Sequence, residues 1–185
     1  INSRIHIKIR RNRRKTILGC HPSAEAYSWM GTPVIGTFTL DGCEKYKTYK
    51  SNGSPATVNL ASFLMPYATV VSFSRPMNVS KTKVLGTYGT VKEIYGLDDW
   101  NIMIQGFCIE DRKRQGYRTV AEQVNALCKF RKVTEAIGVT GSIFNDKEIY
   151  AILIEELNFN PVQGNSSVMP FTIRAISDTL ENLRL

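Results

Sequence analysis

Gly89-Thr90-Val91-Lys92-Glu93-Ile94 and Gly96-Leu97-Asp98-Asp99-Trp100-Asn101-Ile102-Met103-Ile104-Gln105-Gly106 open the stretch that decides the fold, which closes on Phe171-Thr172-Ile173-Arg174-Ala175-Ile176-Ser177-Asp178. From Trp100 to Phe107 the residues Trp100, Ile102 and Ile104 share one parity, and Asn101, Met103 and Gln105 the other. That is the period of a half-buried strand. Phe171, Ile173 and Ala175 alternate in the same way with Thr172, Arg174 and Ile176. Ile137–Phe144 leads through Asn145-Asp146-Lys147 into the apolar run ending at Leu157, which reads as a hairpin with a short polar turn. The order is strand, helix, strand, strand, strand, with almost no catalytic chemistry on it. Such a chain reads as a structural or assembly module.

The helix in that order begins near Thr119. Thr119 and Glu122 form a capping box, in which each side chain satisfies an amide that the first turn leaves unbonded. Val120, Val124, Leu127 and Phe130 fall on one stripe, with Glu122, Gln123, Asn125 and Lys129 expected to face out. The helix is expected to span about 119–131 and to bury Val120, Val124 and Leu127 against Ile102, Ile104, Ile152, Ile154 and Phe171. Ser177-Asp178 is placed to cap a short final helix through Leu185. The fold class that follows is α+β, a mainly antiparallel barrel or sandwich with one packed helix.

Upstream the signals are shorter. Pro33–Leu40 reads as a strand, Asp41-Gly42 as its turn, and Ser51-Asn52-Gly53-Ser54-Pro55 as a loop. Leu64–Phe73 reads as a strand after Pro66, and Arg75-Pro76 breaks it, because proline brings no N–H to a ladder. Asn78–Leu85 is a further short strand. The 51–55 loop is the best boundary, dividing a turn-rich region over 1–60 from a β core with its helix over 61–185.

Composition narrows the function. A 43% hydrophobic content over 185 residues suffices for a sizeable core, and no run approaches the roughly 20 apolar residues of a membrane span. The longest apolar segment, Ile149–Leu157, is interrupted by Glu155 and Glu156. Cys20, Cys43, Cys108 and Cys128 form no Cys-x-x-Cys pair, and with only His6 and His21 available, no metal or cofactor is expected. Nucleophile-elbow, phosphate-loop and His-Glu-x-x-His motifs are missing, Asp98-Asp99 beside Gly96 is a turn, and Cys20-His21 has no orienting third group. The chain is not expected to be an enzyme.

Charge is concentrated at one end. Arg4, Lys8, Arg10, Arg11, Arg13, Arg14 and Lys15 supply seven of the eight net positive charges, and residues 1–20 hold no acid. Ile5, Ile7 and Ile9 alternate with Arg4, His6, Lys8 and Arg10, which is strand periodicity in a basic segment. The expectation is an arm that adds a strand through Ile5, Ile7 and Ile9. Arg10, Arg11, Arg13, Arg14 and Lys15 would then meet an acidic partner, which is a protein surface, another copy or nucleic acid. Asn158–Val168 is long for a hairpin loop, and its Gln163, Gly164, Asn165, Ser166 and Ser167 form a candidate subunit contact.

The Gly-Thr-Val-Lys-Glu segment at 89–93, the Gly-Leu-Asp-Asp-Trp turn at 96–100, the Ile-x-Ile-x-Gly strand at 102–106, Asn145 and the Phe-x-Ile strand over 171–178 resemble a family of phage tail proteins encoded beside the tape-measure gene. The resemblance covers roughly residues 64–178 and departs at Gln115-Gly116-Tyr117-Arg118, where the family has a proline before its helix. It implies a tail-tube-like fold and a structural place in a tail or baseplate, as a ring linking tail tube to hub. The implied partners are copies of the chain and other tail proteins, and the implied location is the virion, after assembly in the host cytoplasm. A nucleic-acid-binding module using Arg10–Lys15 is the alternative.

Overall fold

The computed structural model describes residues 36–178, apart from 84, 87, 113–115 and 165–166. Eleven strands and two helices follow in the order β1 (Thr39–Leu40), β2 (Cys43–Tyr49), β3 (Pro55–Leu60), β4 (Phe63–Leu64), β5 (Thr69–Ser74), β6 (Met77–Lys83), β7 (Thr90–Leu97), β8 (Asn101–Ile109), α1 (Val120–Arg131), β9 (Ile137–Thr140), α2 (Ser142–Asn145), β10 (Ala151–Phe159) and β11 (Val168–Asp178). Seven strands form one antiparallel sheet in the order β4-β1-β9-β10-β11-β8-β5, while β2-β3 and β6-β7 are two-stranded ribbons.

The sheet has to curl. Its outermost strands β4 and β5 are joined by Met65–Ala68, and the five Cα steps from Leu64 to Thr69 reach at most about 19 Å. The edges of a flat seven-stranded sheet would stand about 29 Å apart at the usual strand spacing. The result is a barrel-like half-shell around an apolar interior, and the α+β, barrel-like expectation holds.

Alternation decides which side chains enter that interior. On β8 the residues Ile102, Ile104 and Cys108 are buried while Asn101, Met103, Gln105 and Phe107 face out. Phe171, Ile173 and Ala175 of β11 stand beside them in register. Gly106 completes the Ile-x-Ile-x-Gly strand for a steric reason: a Cβ there would come within 2.9 Å of the Phe171 ring and 2.8 Å of the Ala68 carbonyl oxygen.

Helix α1 packs on β8, β10 and β11. Its capping box is present, Thr119 Oγ1 accepting from Glu122 N–H and Glu122 Oε2 from Thr119 N–H, both at 3.3 Å. Leu127, Ala126 and Phe130 are buried and Val120 and Val124 half-buried, with Ile102, Ile104, Ile152, Ile154 and Phe171 buried around them.

Three expectations need correction. Gln123 does not face out; it is fully buried and its Nε2 donates to the carbonyls of Ile109 (2.8 Å) and Tyr117 (3.1 Å). It thereby ties the loop before the helix to the helix itself. The hairpin over 137–157 is not tight: Ile143-Phe144 belong to α2, and Phe144 turns inward against Phe38 and Phe73, at ring distances of 4.8 and 5.2 Å. Ser177 lies within β11, which runs to Asp178, and its hydroxyl is not free to cap because it accepts from Trp100 N–H (2.9 Å). Residues 179–185 lie outside the described residues.

Candidate assembly surfaces

The pair β5–β8 and the ribbon β6–β7 are two halves of one long hairpin. The chain passes from β5 to β6 through Arg75-Pro76 and returns from β7 to β8 through Asp98-Asp99, so the ribbon overhangs the barrel. Its root is stiff. Asp98 N–H donates to Pro76 O (3.0 Å), Arg75 Nε donates to Asp98 O (2.9 Å), and the Arg75 guanidinium lies 5.4 Å from the centre of the Trp100 ring. Trp100 in turn meets Phe73 edge-on. Asp98 Oδ1 accepts from Asp99 N–H (3.0 Å) in the short link between β7 and β8.

Beyond that root the ribbon packs on nothing described. Every residue of β7 is exposed, and so is β6 except Val79. The contrast with the barrel is plain at one residue type, since Ile104 is 0% exposed and Ile94 67%. Register sorts the side chains into faces. Met77 stands opposite Leu97, Val79 opposite Ile94 and Lys81 opposite Lys92, with Lys83 next along. One face is therefore apolar at the base and carries three lysines towards the tip. The register holds only because an irregularity between Asn78 and Val79 leaves Tyr95 unpaired, next to Gly96 at φ +124°, a left-handed value that glycine tolerates. On the other face Tyr95 donates its hydroxyl to Glu93 (2.7 Å), and that bond holds the phenol above its ordinary pKa.

A second unfilled surface is the edge of β5. Phe107 N–H donates to Ala68 O (3.1 Å), which sets the phase of the ladder: Val70, Ser72 and Ser74 bond β8. The N–H and C=O groups of Thr69, Val71 and Phe73 then point away from β8, where the described sheet has no further strand. Beside this edge the outer face shows Val70, Met103 and Phe107, all exposed. An open depression of about 240 Å³ lies next to them, between Ser72, Ser74 and Asn101 and the rim residues Met103, Glu155 and Arg174.

Ile5, Ile7, Ile9, Arg10, Arg11, Arg13, Arg14, Lys15 and Cys20-His21 lie outside the described residues. In the 160–167 loop Gln163, Gly164 and Ser167 are exposed, and Asn165 and Ser166 lie outside the described residues. Among the described residues, no three of His, Cys, Asp and Glu gather where they could hold a metal, and no helix is long and apolar enough to cross a membrane. The lysine face and the β5 edge went unread in the sequence. The spacing of Lys81 and Lys83 was visible, but only the ribbon register brings Lys92 to them.

The family described as Domain of unknown function (DUF6046) matches residues 64–185. The chain belongs to it. The DUF6046 match takes in the overhanging hairpin and the helix, while β1, β2 and β3 precede it, although β1 sits inside the main sheet. Among solved structures the chain is similar to one from the tail of an empty GTA particle with C6 symmetry, at 10% identity and a TM-score of 0.35, covering 74% of this chain and 92% of that one. No curated protein matches.

Proposed function

We propose that the chain is a structural component of a phage tail or baseplate, assembling into a ring of copies that connects the tail tube to the hub or baseplate within the virion. The observation that carries this reading is the overhanging ribbon. An isolated two-stranded hairpin is marginal in water, and this one leaves Met77, Ile94, Tyr95 and Leu97 uncovered. The Gly-Thr-Val-Lys-Glu and Gly-Leu-Asp-Asp-Trp motifs that resemble tail proteins fall on β7 and its root. They lie where the subunit is most exposed, not where it packs, which suits a contact surface. An apolar interior and an open sheet edge complete the picture of a part built to join others.

A nucleic-acid module is the second reading, favoured by Lys81, Lys83 and Lys92 on one face and by the basic residues before Thr16. Electron microscopy of the purified chain separates the two. Closed rings of uniform symmetry are expected. A protein that stays monomeric at high concentration, and binds arbitrary DNA with a steep salt dependence, overturns the structural reading.

A further inference from the structure

We propose that the tip of the β6–β7 ribbon rests on an anionic lipid surface. The inference goes beyond the assembly reading and stands on the residues of the tip itself. The ladder closes at Lys83 opposite Thr90, and Leu85 and Tyr88 stand in the turn between them at full exposure, 102% and 111%. Gly86 and Gly89 bend that turn through φ of +84° and +100°, and a Cβ on either would meet nothing within 4 Å. Among the described residues the tip therefore stands clear of its own barrel. The length of β6, at about 3.3 Å per residue, carries it about 20 Å beyond Met77. The ribbon's apolar base, with Met77, Ile94 and Leu97, is left to contact between copies.

Behind the tip, Lys81 and Lys92 stand opposite each other with Lys83 next along. None of the three is ion-paired among the described residues, and Glu93 lies on the other face, engaged by the Tyr95 hydroxyl. From the end inward the ribbon thus presents an aliphatic side chain, an amphipathic aromatic one and a row of cations. A bilayer surface has the matching order. Acyl chains cover Leu85, Tyr88 sits at the boundary with its hydroxyl among the headgroups, and the lysine stems carry their charges to lipid phosphates. Duplex DNA also offers phosphates to the lysines, but its phosphate backbone gives Leu85 no apolar cover. The barrel of a second copy suits the tip no better. Of two open depressions on it, one is lined by Arg174 and Glu155 and the other by Arg118, Lys129 and Glu122, so neither is an acidic socket. Two inserted side chains and three cations make a peripheral, reversible contact.

Vesicle flotation with the full chain tests this, comparing phosphatidylcholine alone with an equal mixture of phosphatidylcholine and phosphatidylglycerol. The basic residues before Thr16 are attracted to the same mixed vesicles, so the readout is placed on the tip. The parent chain should float with the mixed vesicles. Leu85→Ser combined with Tyr88→Ser should weaken that binding about tenfold or more. Lys81→Ser, Lys83→Ser and Lys92→Ser together should weaken it by a similar factor and flatten its salt dependence. Both variants change residues that pack on nothing described, so their unfolding midpoints should match the parent's. Tyr88→Trp adds a reporter. Its emission, taken as the difference from the parent chain, should shift to the blue on mixed vesicles and be quenched by lipids brominated in the acyl chain.

A parent chain that stays unbound at low salt overturns the proposal and leaves the ring reading untouched. Equal flotation of the parent and the Leu85→Ser, Tyr88→Ser variant, with no blue shift of the reporter, would assign adsorption to the basic residues elsewhere and sink the tip contact. A reporter that answers to duplex DNA and not to vesicles would transfer the lysines to nucleic acid. A reporter that shifts on self-association in the absence of lipid, and not on vesicles, would give the tip to a neighbouring copy.

Discussion

The two ribbons of this molecule have the same construction and opposite fates. In β2–β3, Tyr46 and Leu60 are buried, the Tyr46 hydroxyl donates to Asp41 O (2.7 Å), and the ribbon is stitched to the end of α1. Thr48 Oγ1 donates to Lys132 O (2.8 Å), Thr134 N–H donates to Lys47 O (2.9 Å), and Lys47 N–H donates to Glu135 Oε1 (2.8 Å). The ribbon β6–β7 has comparable strand lengths and as many apolar side chains, yet it buries none of them. Strand-forming sequence alone therefore does not decide whether a ribbon folds onto its own subunit. The turn at its root does: Arg75-Pro76 and Asp98-Asp99 aim β6–β7 away from the barrel, whereas β2–β3 returns directly into β4.

The largest effect expected from this contrast is at its two tyrosines. Tyr46→Ala removes a buried ring and a hydrogen bond, and should cost about 3–5 kcal/mol in denaturant unfolding, in the range of core aromatic truncations. Tyr95→Ala removes an exposed ring of the same size and should leave the isolated subunit's unfolding midpoint where it was. Equal losses for the two variants would mean that β6–β7 packs on its own barrel, and the contrast would collapse.

Leu127→Ala tests the barrel side. The side chain is 1% exposed, on the helix that closes the half-shell, so truncation should cost about 2–5 kcal/mol. An unchanged melting temperature would put the helix face in solvent. Gln123→Ala comes next. It strips two carbonyls, those of Ile109 and Tyr117, of their donor and should cost about 1–3 kcal/mol. The loop over 110–118 should also become the fastest cleaved by protease; uniform resistance there would show that the loop is held by other means.

Legibility in the sequence followed the range of the interactions. The alternation of Trp100–Phe107 and Phe171–Ile176 and the Thr119–Glu122 box are local, and from them the strands, the helix and the burial of Leu127 and Phe130 follow, while Val120 and Val124 are only half-buried. Gln123 was misplaced because its residue type favours solvent, and only the two carbonyls that meet it in the fold make burial tolerable. Ile143-Phe144 read as the end of a strand because a four-residue helix is too short to show a period. Ser177 looked like a cap, but its hydroxyl is engaged by Trp100, 77 residues away. The candidate surfaces were less legible still. The free edge of β5 follows from strand order, which no window of sequence contains, and the lysine face depends on a register that a single unpaired residue resets.

The smallest expected effect bears on the ribbon alone. Lys81 and Lys92 stand directly opposite each other with Lys83 next to them, an arrangement that repels itself and weakens the pairing of the two strands. Lys81→Glu turns the repulsion into attraction and should stabilise the free ribbon by roughly 0.2–1 kcal/mol. The gain should read out as slower exchange of the β6 and β7 amides in dilute protein, and it should shrink as salt is added because the pair is exposed. The same change should act in the opposite sense on assembly. A face that keeps three lysines together at a cost in local stability suits an acidic surface, so Lys81→Glu should weaken association while tightening the ribbon. If the variant tightens both, the lysines are a solvated face, and contact with a partner runs through Met77, Ile94 and Leu97 alone.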